Sequence, residues 1–265
     1  MNKKDRIAIL TTVANFELYK KTSRFFPSSI KKYVIDGSNG MHGIHSIVYM
    51  MFKLKDEDIE WLIMADEDVI FVDSDYVFKI IEDMQTNNIT VAGVRDGGVV
   101  THRKKNPYAI NTFFSILNLK EILRIWNKKE VLKNQYIYDN EFDDDLSRLK
   151  GSFDKKSLFE PYYCFYFWLR RQGKKILFLD AKMNEDGITN EVYYKADKLL
   201  YHTWYARSYG INKKHTERIN KILVGAENTK QEAEYINPIC FRDSMFYLKK
   251  VIRKYYKYLL LKLGR

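Results

Sequence analysis

Three short apolar runs rich in β-branched residues, RIAILTTV at 6–13, KYVID at 32–36 and WLIMA at 61–65, alternate with stretches of helical periodicity. Runs of this kind suit strands buried on both faces, and strands separated by helices predict an α/β fold around a largely parallel sheet. The helices fall at 17–26 and 44–54. Gly37-Ser38-Asn39-Gly40 ends the second strand abruptly. A third helix, capped by Ser74, carries Val77, Ile80, Ile81 and Met84 on one face and leads to a fourth strand at 89–94. In such sheets the sites gather at the carboxyl ends of the strands.

The chain continues with a strand at 111–119, a helix at 120–129 and a polar, acid-rich loop with a short helix at 135–156. An aromatic helix at 162–171 is stopped by Gly173, and a strand follows at 175–179. Gly187 and Asn190 mark a further loop before the run at 199–204. We divide the sequence into a catalytic domain at 1–225 and a helical basic tail at 226–265.

The tail holds most of the charge. Eight Lys and Arg residues against one acid, Asp243, give the last 25 residues +7 of the formal +11. Leu248, Val251, Ile252, Tyr255, Tyr256, Leu259, Leu260 and Leu263 repeat at helical spacing, with Lys249, Lys250, Arg253, Lys254 and Lys257 on the other face. Two readings follow: a helix lying on an anionic membrane surface, or a stripe packed on the domain or on a second subunit. No run approaches the roughly 20 apolar residues of a membrane span. The opening MNKKDRIAILTTVANF reads as a strand rather than a leader. Only Cys164 and Cys240 are present, which fits a reducing compartment. The expected location is cytoplasmic, peripheral at the inner face of the membrane.

Asp66-Glu67-Asp68 at the end of WLIMA is the sharpest chemical feature. Alternate carboxylates on an extended segment point the same way and can share one hard divalent cation with positions left for phosphate oxygens. Three acids released together repel one another, and a cation relieves that repulsion. A carboxylate and imidazole set that includes His202 favours a transition-type ion. Trp204, Tyr205 and Arg207 either close over a diphosphate, with Arg207 as charge clamp, or belong partly to the core. Arg95-Asp96-Gly97-Gly98, His102, Arg103 and Asn106-Pro107-Tyr108 read equally as site or ordinary loop.

In RIAILTTV, YVIDGSNG, WLIMADEDVIF, FEPYYCFYFWLRRQGKKILFLDA and YHTWYARSYG, taken in order, the first 210 residues or so resemble the GT-A nucleotide-diphospho-sugar glycosyltransferases. The likeness is greatest to the non-processive, bacterial family-2-like enzymes of surface polysaccharide assembly. It implies a GT-A fold, Rossmann-like with a mixed, mainly parallel sheet flanked by helices. It further implies donor contacts at Thr11, Asp36, Asp66, Glu67 and Arg207, and Mn2+ or Mg2+ held by Asp66, Asp68 and His202. A UDP-sugar donor and a glycan or lipid-linked saccharide acceptor follow from the same likeness. Glu160 stands where inverting members carry the general base, although Glu160-Pro161 departs from their common Glu-Asp pair. Asp139, Glu141 and Asp143 to Asp145 are its rivals, weighed against a solvated acidic loop.

Phosphate-loop, dinucleotide-fingerprint and nucleophile-elbow patterns are absent from the sequence, as is the Gln-X-X-Arg-Trp element of processive synthases. A nucleotidyltransferase making the sugar nucleotide remains an alternative, although Leu10-Thr11-Thr12-Val13-Ala14 lacks a glycine-rich loop. A nucleic-acid binder is the other, and we expect no nucleic acid because the basic charge is confined to the tail.

Overall fold

The structure is a computed structural model that describes residues 3–99, 103–227 and 235–262. Strand β1 (Ile7–Val13) opens the fold, and α1 (Phe16–Thr22) follows, capped by Asn15, whose side chain accepts from the Leu18 amide. Next come β2 (Lys31–Asp36), α2 (Ile44–Leu54), β3 (Trp61–Ala65), the short β4 (Val69–Phe71), α3 (Tyr76–Thr86) and β5 (Ile89–Arg95). The chain continues through β6 (Ile110–Asn118), α4 (Leu119–Ile125), α5 (Lys128–Lys133), α6 (Tyr163–Arg171) and β7 (Lys175–Met183). It closes with β8 (Asn190–Tyr194), β9 (Asp197–His202), α7 (Lys213–Glu227), β10 (Ile239–Phe241) and α8 (Phe246–Lys262).

Among the described residues these strands form one sheet in the order β10-β2-β1-β3-β6-β5-β7-β8-β9-β4. Alternation along β1 sends Ile7, Ile9 and Val13 to one face and Ala8 and Leu10 to the other. Each face is covered, the first by α1, α3 and α7 and the second by α2, α4 and α6.

The sheet is mixed, as expected, but its pairings are not mainly parallel. β1 pairs in parallel with β2 and β3, β10 with β2, and β5 with β7. β6 instead lies antiparallel between β3 and β5, because the chain returns from β5 through a loop and not through a helical crossover. Strands β7, β8, β9 and β4 then run antiparallel in succession.

Local expectations hold unevenly. The helix expected at 120–129 is two helices, since Trp126 is extended and the Asn127 side chain caps the second by accepting from the Lys129 and Glu130 amides. Ser74 is buried and the N-cap of α3 is Asp75, which makes no side-chain capping bond. The 135–156 loop contains no helix among the described residues; ion pairs hold it instead. Glu141 meets Arg171 through two bonds, while Asp144 joins Arg95 and Arg170.

Helix α8 turns an unexpected face to the protein. Phe246 is buried against His45, with ring centroids 5.4 Å apart, and Lys249, Lys250 and Arg253 follow on the same inward side, lining cavities. The apolar face is left outside: Leu248 is 48% exposed, Val251 46%, Ile252 56% and Tyr255 64%. These four residues therefore do not pack on the domain. Leu263 and the side chains of Lys257, Leu259 and Leu260 lie outside the described residues.

Candidate functional site

β3 ends at Ala65, and the chain must then cross to the far edge of the sheet, where β4 pairs with β9. Asp66-Glu67-Asp68 makes that crossing. It is tied to β6 by the Asp66 amide, which donates to the Phe113 carbonyl at 2.8 Å, and to β9 by the Thr203 amide, which donates to the Asp68 carbonyl at 3.0 Å. Because Val69 pairs with His202 in the β4–β9 register, the imidazole is brought beside Asp68. One ligand atom from each of Asp66, Asp68 and His202 lies within 4.8 Å of the others.

His202 Nε2 is 3.4 Å from Asp68 Oδ1, and the ring stacks on Phe113 at 4.0 Å with an 8° tilt. Its Nδ1 is buried with no hydrogen-bond partner among the described residues. Burial, then the charges of Asp68 and Glu67, hold Asp66 well above the usual carboxylate range, with Arg207 opposing. Two close carboxylates, an imidazole with an orphaned nitrogen and this unrelieved repulsion fit one divalent cation.

Glu67 has a different geometry from its neighbours. Its Oε1 accepts from the Ala14 and Asn15 amides at 2.9 and 3.1 Å, clamping the end of β1 to the acidic turn. Burial and the Asp68 charge push its carboxyl up to about 7, against the pull of those backbone donors. Asn15 extends the clamp. Its Nδ2 donates to the carbonyls of Ala206 and Tyr209 at 3.0 and 2.9 Å, which fixes the single 3-10 turn that carries Arg207. Trp204 and Tyr205, just before that turn, both have left-handed backbones, φ 57° and 63°. For non-glycine residues this costs on the order of 1–3 kcal/mol each and persists only where the surroundings enforce it. Arg218 donates to the Thr203 and Trp204 carbonyls, the Trp204 indole donates to Asn190 Oδ1 at 2.6 Å, and Tyr205 stacks on His215 at 4.0 Å.

These groups line a cavity of about 780 Å3. Asp66, Asp68 and His202 occupy one part of its wall, with Arg207, Arg103 and Glu160 elsewhere. Glu160 Oε1 accepts from Arg103 Nη2 at 2.7 Å. Arg103 is in turn gripped by the fully buried Asp96, which also accepts from Asn111, Tyr162 and Tyr163. Gly97 permits this turn: a Cβ there would lie 1.9 Å from the Lys105 carbonyl oxygen. His102 lies outside the described residues.

The rivals of Glu160 are not on this wall. Asp139 pairs with Lys156 at 2.7 Å, Glu141 and Asp144 hold arginines, and Asp145 accepts from the Ser147 amide. Two expected donor contacts also lie off it. Thr11 is buried within β1, and the next residue, Thr12, faces the cavity. Asp36 is buried beside the wall-forming Gly37, with Oδ1 accepting from the Ser38 amide at 3.0 Å and Oδ2 3.3 Å from Arg242.

Three cavity residues escaped the sequence reading. His42 and His45 come from the uncapped N-terminus of α2, and Lys250 comes from the inward face of α8. Burial, then the charges of Arg207 and Lys250, lowers the pKa of His42, so that part of the cavity is positive at neutral pH through its other groups. No pattern in the sequence joins residues 42 and 250; only the docking of Phe246 does.

No protein-family model matches the chain, and no curated protein matches it. Solved structures with a similar course of chain include glycosyltransferases. One is involved in glycosylation of the major capsid of PBCV-1: 16% identity, 81% of this chain and 98% of that chain, TM-score 0.43. Mouse xyloside xylosyltransferase 1 matches at 10% identity over 66% of this chain and 85% of that one, TM-score 0.36. The glycosyltransferase GlyE of Streptococcus pneumoniae TIGR4 matches at 10% identity over 88% and 66%, TM-score 0.37. Likenesses this distant assign no activity.

Proposed function

We propose that the chain is a metal-dependent glycosyltransferase of GT-A type that moves one sugar from a nucleotide-sugar donor, a UDP-sugar, to a lipid-linked surface-glycan acceptor. The observation that carries this reading is the convergence of Asp66, Asp68 and His202 with Arg207, Arg103 and Glu160 on one cavity. Mn2+ or Mg2+ bound by Asp66, Asp68 and His202 would supply Lewis-acid neutralisation of the donor diphosphate. Arg207 adds a fixed positive charge for the same phosphates, while Asp66 and the neighbouring Asp36 are the proposed ribose and nucleoside contacts.

Transfer needs a proton acceptor opposite the leaving group. Glu160 takes the proton of the acceptor hydroxyl as that oxygen forms its bond to the anomeric carbon. The bond from that carbon to the diphosphate oxygen breaks, and the nucleoside diphosphate departs with the electron pair. Arg103, fixed by Asp96, holds Glu160 Oε1 and orients the carboxylate. Residues 1–225 are the proposed catalytic portion, with α8 contributing Lys250 to its cavity. Among the described residues no helix is long and apolar enough to cross a membrane. The exposed apolar face of α8 is the proposed peripheral contact with the membrane.

Heat stabilisation by UDP with Mn2+ is the direct test. The pair should raise the melting temperature of the intact chain, and Asp68→Ala should abolish the shift and nearly all turnover without lowering the melting temperature of the metal-free protein. Full transfer activity in excess chelator would remove the metal from the mechanism.

A further inference from the structure

A second cavity, of about 640 Å3, runs under α8 between α2 and the α4–α5 corner. Its walls are apolar and include Val48, Phe52, Leu123, Trp126 and Leu132, with Phe52 61% and Leu132 45% exposed. The volume is that of a small-molecule site. The cavity adjoins the catalytic one, for Met41, Ile44 and His45 line both.

The charges at its edge are mainly basic. Lys128, Lys249 and Arg253 line it, and Lys250 stands at the junction in the catalytic cavity. Asp243 is paired with Lys249 at 3.0 Å, whereas Lys128 and Arg253 have no acidic partner among the described residues. Burial, then Lys250, His42, Arg253 and Lys128, lowers the pKa of His45 at the meeting point, which locates the convergence of positive charge there.

We propose that this groove seats the hydrocarbon chain of a lipid phosphate, with the phosphate under the inward basic face of α8 and the attached acceptor group reaching into the catalytic cavity. This rests on the transferase reading and deepens it. An apolar slot with a cationic mouth complements an amphiphile that is anionic at one end and hydrocarbon at the other. Adjoining the reaction cavity at His45 gives the charged end a reason to sit there. The outward apolar face of the same helix lies beside the slot, so a chain drawn from a membrane surface has a short path into it.

Binding of decyl phosphate to the intact chain, below its micelle concentration, tests the groove by calorimetry without any turnover. Each pair of methylenes from hexyl to decyl phosphate should tighten binding by up to about tenfold. Inorganic phosphate and decanol should bind far more weakly. Leu132→Glu and Lys128→Glu are both at exposed positions, and each should weaken decyl phosphate about tenfold while UDP with Mn2+ binds as before. A photoreactive decyl phosphate should label Phe52 or Trp126. Affinity independent of chain length, unchanged binding in both folded variants, or labelling confined to the outer residues 247, 248, 251 and 255 overturns the proposal. UDP and Mn2+ binding, measured on the same preparation, reports separately on the transferase reading.

Discussion

Replacing Glu67 by glutamine separates the structural part of the acidic turn from its charge. The carboxylate bonds both backbone amides through Oε1, and a glutamine oxygen can accept from the same donors. What the substitution removes is a buried negative charge beside Asp68. The rise from 4.5 to about 7 corresponds to on the order of 3 kcal/mol, at about 1.4 kcal/mol per unit. In the folded protein Glu67 keeps its proton up to about 7, whereas the unfolded chain loses it near 4.5. The fold therefore binds more protons across that window, and Glu67 destabilises it progressively as pH rises from 4.5 towards 7 and fully above. Metal-free Glu67→Gln should melt about 5–10 °C above the parent at pH 8, with most of that gap gone at pH 5. The lowered histidines, His42 and His45, are common to both proteins and cancel in the comparison. Saturating Mn2+ should narrow the gap at pH 8, since a cation stabilises the ionised turn. A variant less stable than its parent at pH 8, or a gap equal at both pH values, would refute the charge argument.

Three further outcomes follow from the same geometry. Glu160→Gln should slow transfer by roughly 10²- to 10⁴-fold with UDP and Mn2+ binding little changed, and a near-normal rate in single-turnover measurements would strip Glu160 of the base role. Asn15→Ala deletes the α1 cap and both bonds to the Arg207 turn, so it should cost about 2–3 kcal/mol in urea unfolding and also weaken UDP binding. Unchanged UDP affinity would show that the turn does not need this tether. The double change Val251→Glu with Ile252→Glu, both on the exposed face of α8, should weaken binding to anionic vesicles about tenfold without lowering the melting temperature; equal vesicle binding would separate that face from the membrane.

What the sequence discloses depends on how much order each segment carries by itself. The runs at β1 and β3 are long enough and apolar enough to mark buried strands, and α2 occupies residues Ile44–Leu54, the span its periodicity predicts. β4 and β8 are three and five residues long and too short to show a period, so the antiparallel half of the sheet stayed hidden. With it went the register that seats His202, although the residue itself stood out as a candidate ligand. Thr11 illustrates a second limit. A strand identifies the neighbourhood of a site, but adjacent side chains diverge, and here it is Thr12 that lines the cavity.

Helix α8 shows why amphipathicity alone cannot orient an element. Its 3.6-residue period separates a basic from an apolar face correctly, and the usual expectation then buries the apolar one. Phe246 decides otherwise: the single ring buried beside His45 sets the rotation of the helix, and Lys249, Lys250 and Arg253 follow it inward at helical spacing. All three cations keep exposed side chains, and Asp243, the one acid in the last 25 residues, pairs with Lys249. Lys250 and Arg253 therefore leave positive charge without an acidic partner among the described residues where the main cavity adjoins the apolar groove, which links the proposed donor phosphates on one side to the proposed lipid phosphate on the other.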